Sequence, residues 1–342
     1  MRVIPNSAEL AEFNTCHTPS GSPQGGQFCS GDKQQAKLPG FTKRTPAERR
    51  AARAADRRAA GNTSSPVTSG TPSGGVDPLG GGGVMASYTT TLSDGTHSVK
   101  VVYKPVDGEE WNMRSEITNR AFTHAHREAM AYEVDQALGT KLVPETVLRT
   151  SLGKDESGVV WGAGSVQRFA ENAAVEAYWG GRDLTQEETF RIAALDYVVG
   201  NLDRHGKNLM RDGASGNPIG IDHGLTMPAG SKDNPSGMES GRSLAIANLI
   251  ERHRIGNASP PTSPRASWVD FARMPASVRG GLRQTLSDGA RWERVIKRYR
   301  SVMSRSEVAA FRYRLKDMRR IVESDDPELF VTSMQRITSY WN

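Results

Sequence analysis

The densest run of reactive side chains in the sequence is Asn201-Leu202-Asp203-Arg204-His205-Gly206-Lys207-Asn208. Fourteen residues beyond Asn208, a short apolar stretch, Pro218-Ile-Gly-Ile221, leads into Asp222-His223-Gly224. Moving a phosphoryl group off a nucleotide requires few parts: a carboxylate near the attacking hydroxyl, an oxygen ligand and a second carboxylate for Mg2+, and a cation against the phosphates. Asp203, Asn208 and Asp222 supply the first three. The cation is Lys104, in Val101-Val102-Tyr103-Lys104-Pro105, where it can reach the α/β-phosphates if Glu128 holds it. In chain order, Lys104, Glu128, Asp203, Asn208 and Asp222 complete the set.

Plainer readings stand beside this one. Asp203-Arg204 alone reads as an ion pair in a helix-to-loop turn, and a loop histidine such as His205 reads as a hydrogen-bonding scaffold. His124 and His126 are two residues apart on an expected helix, so they face different directions and do not chelate one ion. Cys16, His17 and Cys29 offer three zinc ligands without an obvious fourth, and free thiols are the simpler expectation.

The elements that must hold these parts can be read from periodicity and caps. Val84–Leu92 and His97–Tyr103 are rich in Val, Thr and Tyr, and Ser93-Asp94-Gly95-Thr96 joins them as a hairpin ending at Lys104. A helix is expected from Thr123 to Leu138, with Met130, Val134 and Leu138 on its buried stripe and Gly139 at its end. Val159–Phe169 reads as strand. Thr185 and Glu188 form a capping box for a helix whose Ile192, Leu195 and Val199 share one face and which stops at Gly200, just before the reactive run. Beyond about residue 240 the pattern is helical, clearest where Ser304 and Glu307 cap a helix buried through Val308, Phe311, Leu315, Met318 and Ile321.

Composition narrows the function classes. Of the net charge of +6, residues 1–60 carry +5, from ten Lys/Arg against five acids, so the rest of the chain is nearly neutral and is not built for bulk phosphate-backbone binding. Residues 1–83 read as a flexible, basic, Gly/Ser/Pro-rich arm. Thr45-Pro46-Ala47-Glu48 starts an Arg-rich solvated helix there that suits an acidic partner, and Gly61–Gly83 is linker. The chain has no run of eighteen apolar residues and its start lacks the apolar region of a secretory signal. Neither a membrane span nor export is expected, and two cysteines suit a reducing cytoplasm.

The run Asn201–Asn208 with Ile221-Asp222-His223-Gly224 resembles the Asp-Arg-His-x-x-Asn and Ile-Asp-His/Phe-Gly signatures of the phosphatidylinositol 3-/4-kinase-like superfamily of atypical kinases. Tyr103–Glu109, Arg127–Tyr132, Leu142–Leu148 and Gly164–Phe169 are similar to a bacterial, phosphatidylinositol kinase-like branch of it, and the likeness covers about residues 84–325. The resemblance implies an α+β, two-lobed protein-kinase-like fold: a β-rich N-lobe at 84–170 and a helical C-lobe at 171–342. It implies ATP and Mg2+, with Asp203 as catalytic acid/base, His205 steadying the transferred group, and Asn208 and Asp222 as metal ligands. Ser165-Val-Gln167 leading to Phe169 would be the hinge, its backbone meeting adenine. Met85-Ala-Ser87-Tyr88 stands where relatives carry a Ser-rich loop over the phosphates, and Gly80–Gly83 just before it reads as linker.

The expected activity is therefore transfer of the γ-phosphoryl group to a hydroxyl. The acceptor is left open between protein, lipid and small molecule, with a protein Ser/Thr or the chain itself favoured. A catalytically silent kinase fold serving a particle, and nucleotidyl transfer on the same fold, are the alternatives. Phe13–Phe28 is similar to Gly-rich segments of tailed-phage proteins, which implies a phage-encoded chain in the host cytoplasm or virion.

Overall fold

The computed structural model describes residues 65–79, 85–110, 117–175, 184–238, 246, 273–324, 326 and 328–338, all within the unit Thr63–Asn342. The Arg-rich helix and its acidic partner, the phage-like segment Phe13–Phe28, Cys16, Cys29 and the Gly80–Gly83 run lie outside the described residues.

The ordered unit begins earlier than composition implies. Residues 65–79, expected to belong to the arm, form a short helix α1 (Pro66–Ser69) and two short strands, β1 (Thr71–Pro72) and β2 (Asp77–Pro78). Val67 is fully buried, and the Ser65 hydroxyl caps α1 and donates to Glu145. Both strands pair with one edge of β3 (Tyr88–Ser93), where the missing amide of a proline does no harm. One buried valine and edge pairing outweigh a polar average, and these residues join the compact unit Thr63–Asn342.

β3 and β4 (Ser98–Pro105) form the expected hairpin, whose turn is fixed by Asp94 Oδ1 accepting from the amides of Thr96 and His97. Alternation along β4 sends Val101 and Tyr103 into the sheet's core and Lys104 to the opposite face. The expected strand Val159–Phe169 is two elements. β7 (Val160–Trp161) pairs with β6 (Gly153–Lys154), and β8 (Gly164–Arg168) lies between β4 and β5 (Thr146–Arg149). Gly164 permits that pairing, since a Cβ there would sit 2.5 Å from the Lys104 carbonyl oxygen.

Helix α2 (His124–Leu138) is capped by Thr123 and ends at Gly139 in the left-handed conformation, as its sequence implies. Its Met130, Val134 and Leu138 belong to the core of the helical lobe rather than to that of the sheet, although the helix lies within the expected N-lobe. Helix α3 (Gln186–Val199) has its capping box and its Gly200 stop. It is buried on nearly all sides rather than one, because α2, α4 (Ala276–Ser287) and α6 (Arg305–Glu323) surround it. α5 (Gly289–Tyr299) and α7 (Leu329–Thr338) complete the helices. The Ser304/Glu307 capping box and the buried stripe of α6 are as expected.

A second sheet, β9 (Ala173–Val175), β10 (Leu209–Asp212) and β11 (Pro218–Gly220), sits where the reactive run ends. Its β10–β11 hairpin pairs Leu209 with Gly220. The result is an α+β molecule with a small β-rich lobe and a larger helical lobe.

Candidate active site

The β10–β11 hairpin explains how residues fourteen apart in sequence become neighbours. Asn208 immediately precedes β10 and Ile221 immediately follows β11, so the Ile221 amide donates to the Asn208 carbonyl at 3.1 Å. Asn208 Nδ2 in turn donates to the Asp203 carbonyl at 3.0 Å, closing the loop on itself. Beneath both loops, Leu202, Leu225 and Ile117 form a small apolar cluster, and the Leu202 amide donates to the Leu225 carbonyl. Asp222 has φ +59°, a left-handed conformation that costs an L-residue roughly 1–2 kcal/mol and is found where surrounding structure imposes it.

Lys104 joins this assembly from the sheet. Its Nζ donates to Glu128 Oε1 at 2.5 Å and to Asp222 Oδ1 at 3.0 Å. Burial works to lower the Lys104 pKa, but Asp222 and Glu128 outweigh it, and the ammonium stays charged above the ordinary lysine range. The same contact holds the Asp222 carboxyl below the usual carboxylate range, with burial opposing. Asp203 and His205 occupy the open side: His205 Nε2 lies 3.7 Å from Asp203 Oδ2, and His205 Nδ1 accepts from the Lys207 amide.

Arg204 is not paired with Asp203. The plain reading of that dipeptide gives way to a fully buried guanidinium that pairs with Asp196, eight residues earlier on α3. It also donates to the carbonyls of Asn208 and Ile221 and, at 2.7 Å, to His223 Nε2. Burial and the Arg204 charge push the His223 pKa well down, so the imidazole is neutral and serves as an acceptor. Asp196, Arg204 and His223 thus lock both loops from below. Sequence reasoning missed this trio; an arginine and an aspartate eight apart, separated by a helix stop, was its one available signal.

A small, partly open crevice lies beside Lys104 and Glu128, lined also by Met85, Ala86, Glu109 and His124. Glu109 accepts from the amides of His124 and Ala125 at the start of α2. Burial nonetheless raises its pKa to about 7. Burial lowers that of His124 to about 4, with the Arg127 charge adding to the effect. Ser87, expected over the phosphates, is not among the lining residues. Its hydroxyl donates to the Met85 carbonyl at 3.4 Å, and Met85 and Ala86 occupy the wall instead.

The expected hinge runs along β8 and the residue that follows it. Gln167 lies inside the sheet with its side chain on Thr146 Oγ1, and the Phe169 amide is spent on the Lys100 carbonyl at 2.9 Å. Gln167 sits within β8, an interior strand with partners on both sides, and Phe169 directly follows it.

Residues 113–239, spanning Glu128 and both loops, match the model of the family "Phosphatidylinositol 3- and 4-kinase". That span is similar to the catalytic region of phosphatidylinositol 3- and 4-kinases. The match places it with kinase-type phosphotransferases and does not resolve a branch among them. Lys104 falls outside the matched span. Among solved structures, the crystal structure of a Helicobacter pylori proinflammatory kinase, CtkA, is 13% identical; the alignment covers 78% of this chain and 97% of that one with a TM-score of 0.32. No curated protein matches the chain. Among the described residues, no helix is long and apolar enough to cross a membrane.

Proposed function

We propose that the chain is an ATP- and Mg2+-dependent phosphotransferase that moves the γ-phosphoryl group to a hydroxyl, with a protein Ser/Thr or the chain itself as acceptor. The observation that carries the reading is Lys104 Nζ bonded to both Glu128 and Asp222, while Asp222 follows a residue hydrogen-bonded to Asn208.

The donor set fits the metal. Asn208 keeps its amide oxygen after its Nδ2 is used, and Asp222 keeps a second carboxylate oxygen on a partly exposed side chain. Two protein oxygens, with phosphates and water for the rest, suit Mg2+, which dehydrates reluctantly. Bound there, Mg2+ neutralises and orients the phosphates of the nucleotide.

The side chains divide the remaining work. Lys104, its charge assured by two carboxylates, faces the α/β-phosphates. Asp203, a quarter exposed on the open side, takes the proton from the acceptor hydroxyl, and the neighbouring His205 steadies developing charge on the transferred group. Arg204 and His223 keep Asn208 and Asp222 aligned without touching substrate. Positioning and charge neutralisation, rather than covalent chemistry, lower the barrier.

Incubation with γ-labelled ATP and Mg2+, alone and with host lysate, tests this. Label on protein that disappears in Asp222→Ala, with the melting transition retained, is the expected result. Label only from α-labelled ATP would show nucleotidyl transfer instead, and no label in either form would show a silent fold.

A further inference from the structure

Arg127, the residue before Glu128, is fully buried, and every part of its guanidinium is engaged. Nε donates to the Phe122 carbonyl at 3.0 Å. Nη1 donates to the carbonyls of Thr226 at 2.6 Å and Met227 at 2.8 Å, and Nη2 to Glu307 Oε1 at 2.6 Å. Its planar face lies 4.4 Å from the Phe122 ring centroid. Glu307 is itself fixed, its other oxygen accepting from the Ser304 amide and from Asn119 Nδ2.

One side chain therefore ties together the turn before α2, the segment four and five residues past Asp222, and the first turn of α6. Thr226 also donates from its hydroxyl to the His223 carbonyl, which carries the tie back to the residue beside Asp222. We propose that Arg127, clamped by Glu307, is a positioning residue that sets the spacing between Glu128 and Asp222, the two carboxylates that hold Lys104. The inference rests on the functional reading of those three groups given above. Only a rigid fork with several donors spans these acceptors at once, which a lysine cannot do. Where other kinases order this region through a new arginine–phosphate pair, the carboxylate here is built into α6, so the arrangement forms without modification.

Two variants test it. Arg127→Lys keeps a charge against Glu307 while giving up the carbonyl contacts, and Arg127→Met with Glu307→Gln removes both charges so that neither is left buried alone. Both are expected to melt cooperatively. The turnover number should fall at least tenfold while KM for the nucleotide changes less than threefold, and Lys104 should react at least threefold faster with an amine-acylating reagent, read by mass spectrometry. A plain loss of stability elsewhere does not free Lys104 in a folded protein. Faster acylation in the variants, from a wild-type chain that transfers no phosphate, would uphold the strut and discard the functional reading. Unchanged Lys104 acylation in a cooperatively melting variant overturns the proposal whatever the activity.

Discussion

The two lobes contribute unequally to the site. The sheet core, built on Val67, Tyr88, Leu92, Val101, Tyr103 and Val166, contributes Lys104. The helical core contributes the rest: it contains the apolar face of α2, which bears Glu128, and it supports α3, whose end leads into the loop of Asp203, His205 and Asn208. A helix inserted between β4 and β5 of the sheet, and packed on β5 and β8, thus also lends its apolar face to the core of the other lobe. Glu128's neighbour Arg127 bonds the segment past Asp222, and Lys104 is bonded to both carboxylates.

This contrast can be broken from either side. The largest effect is expected for Asp203→Ala on the helical side, where loss of the proposed proton acceptor should lower turnover by about 10²–10⁴-fold while nucleotide binding, measured by titration, stays unchanged. Lys104→Met, on the sheet side, should cost about 10²–10³-fold in turnover and also weaken nucleotide binding, because it removes a cation from the phosphates and leaves Glu128 and Asp222 facing each other. If the two variants show the same division between KM and turnover number, the contrast fails.

A smaller effect tests the seam. Glu109 follows β4 and accepts two amides at the start of α2, and its folded pKa of about 7 lies above the unfolded value. The folded state then holds the proton more tightly, so its contribution to stability is full below about pH 4.5 and is lost as pH rises through 7. His124 acts in the opposite sense, since its lowered pKa removes stability as pH falls from 6.5 towards 4. Glu109→Gln isolates the first contribution. Relative to the wild type it should gain on the order of 2 kcal/mol on moving from pH 4.5 to pH 8, after allowance for partial exposure, as read by denaturant melts at the two pH values. A constant difference between the two proteins would show that folding does not raise the Glu109 pKa. The smallest effect is reserved for His205→Ala, whose exposed ring should cost about tenfold in turnover, near 1.4 kcal/mol of barrier, with no change in melting.

Much of the fold was legible because its signals are local. The Thr123 and Thr185 caps, the Gly139 and Gly200 stops, the Asp94 turn and the stripe of α6 depend on side chains within a few residues of the backbone groups they satisfy. The five-residue spacing of Asp203 and Asn208 is legible for the same reason, since one short loop closes through the Asn208 amide. Local reading failed where a distant partner decided the outcome. Val67 is buried by strands that come later in the chain, β8 is interior because β4 and β5 flank it, and the Phe169 amide is consumed by Lys100.

The sequence by itself therefore determined which polar groups share a loop and which helix ends and turns present them. The tertiary structure alone decided that Arg204 pairs with Asp196 rather than Asp203, that the Gln167 side chain meets Thr146 and the Phe169 amide the Lys100 carbonyl, and that Arg127 meets Glu307, 180 residues away. The physical reason is one of range. Caps and turns are satisfied by neighbours in the chain, whereas a buried guanidinium or an interior strand takes whatever partner the packing brings within hydrogen-bonding distance, and no pattern of spacing records that choice.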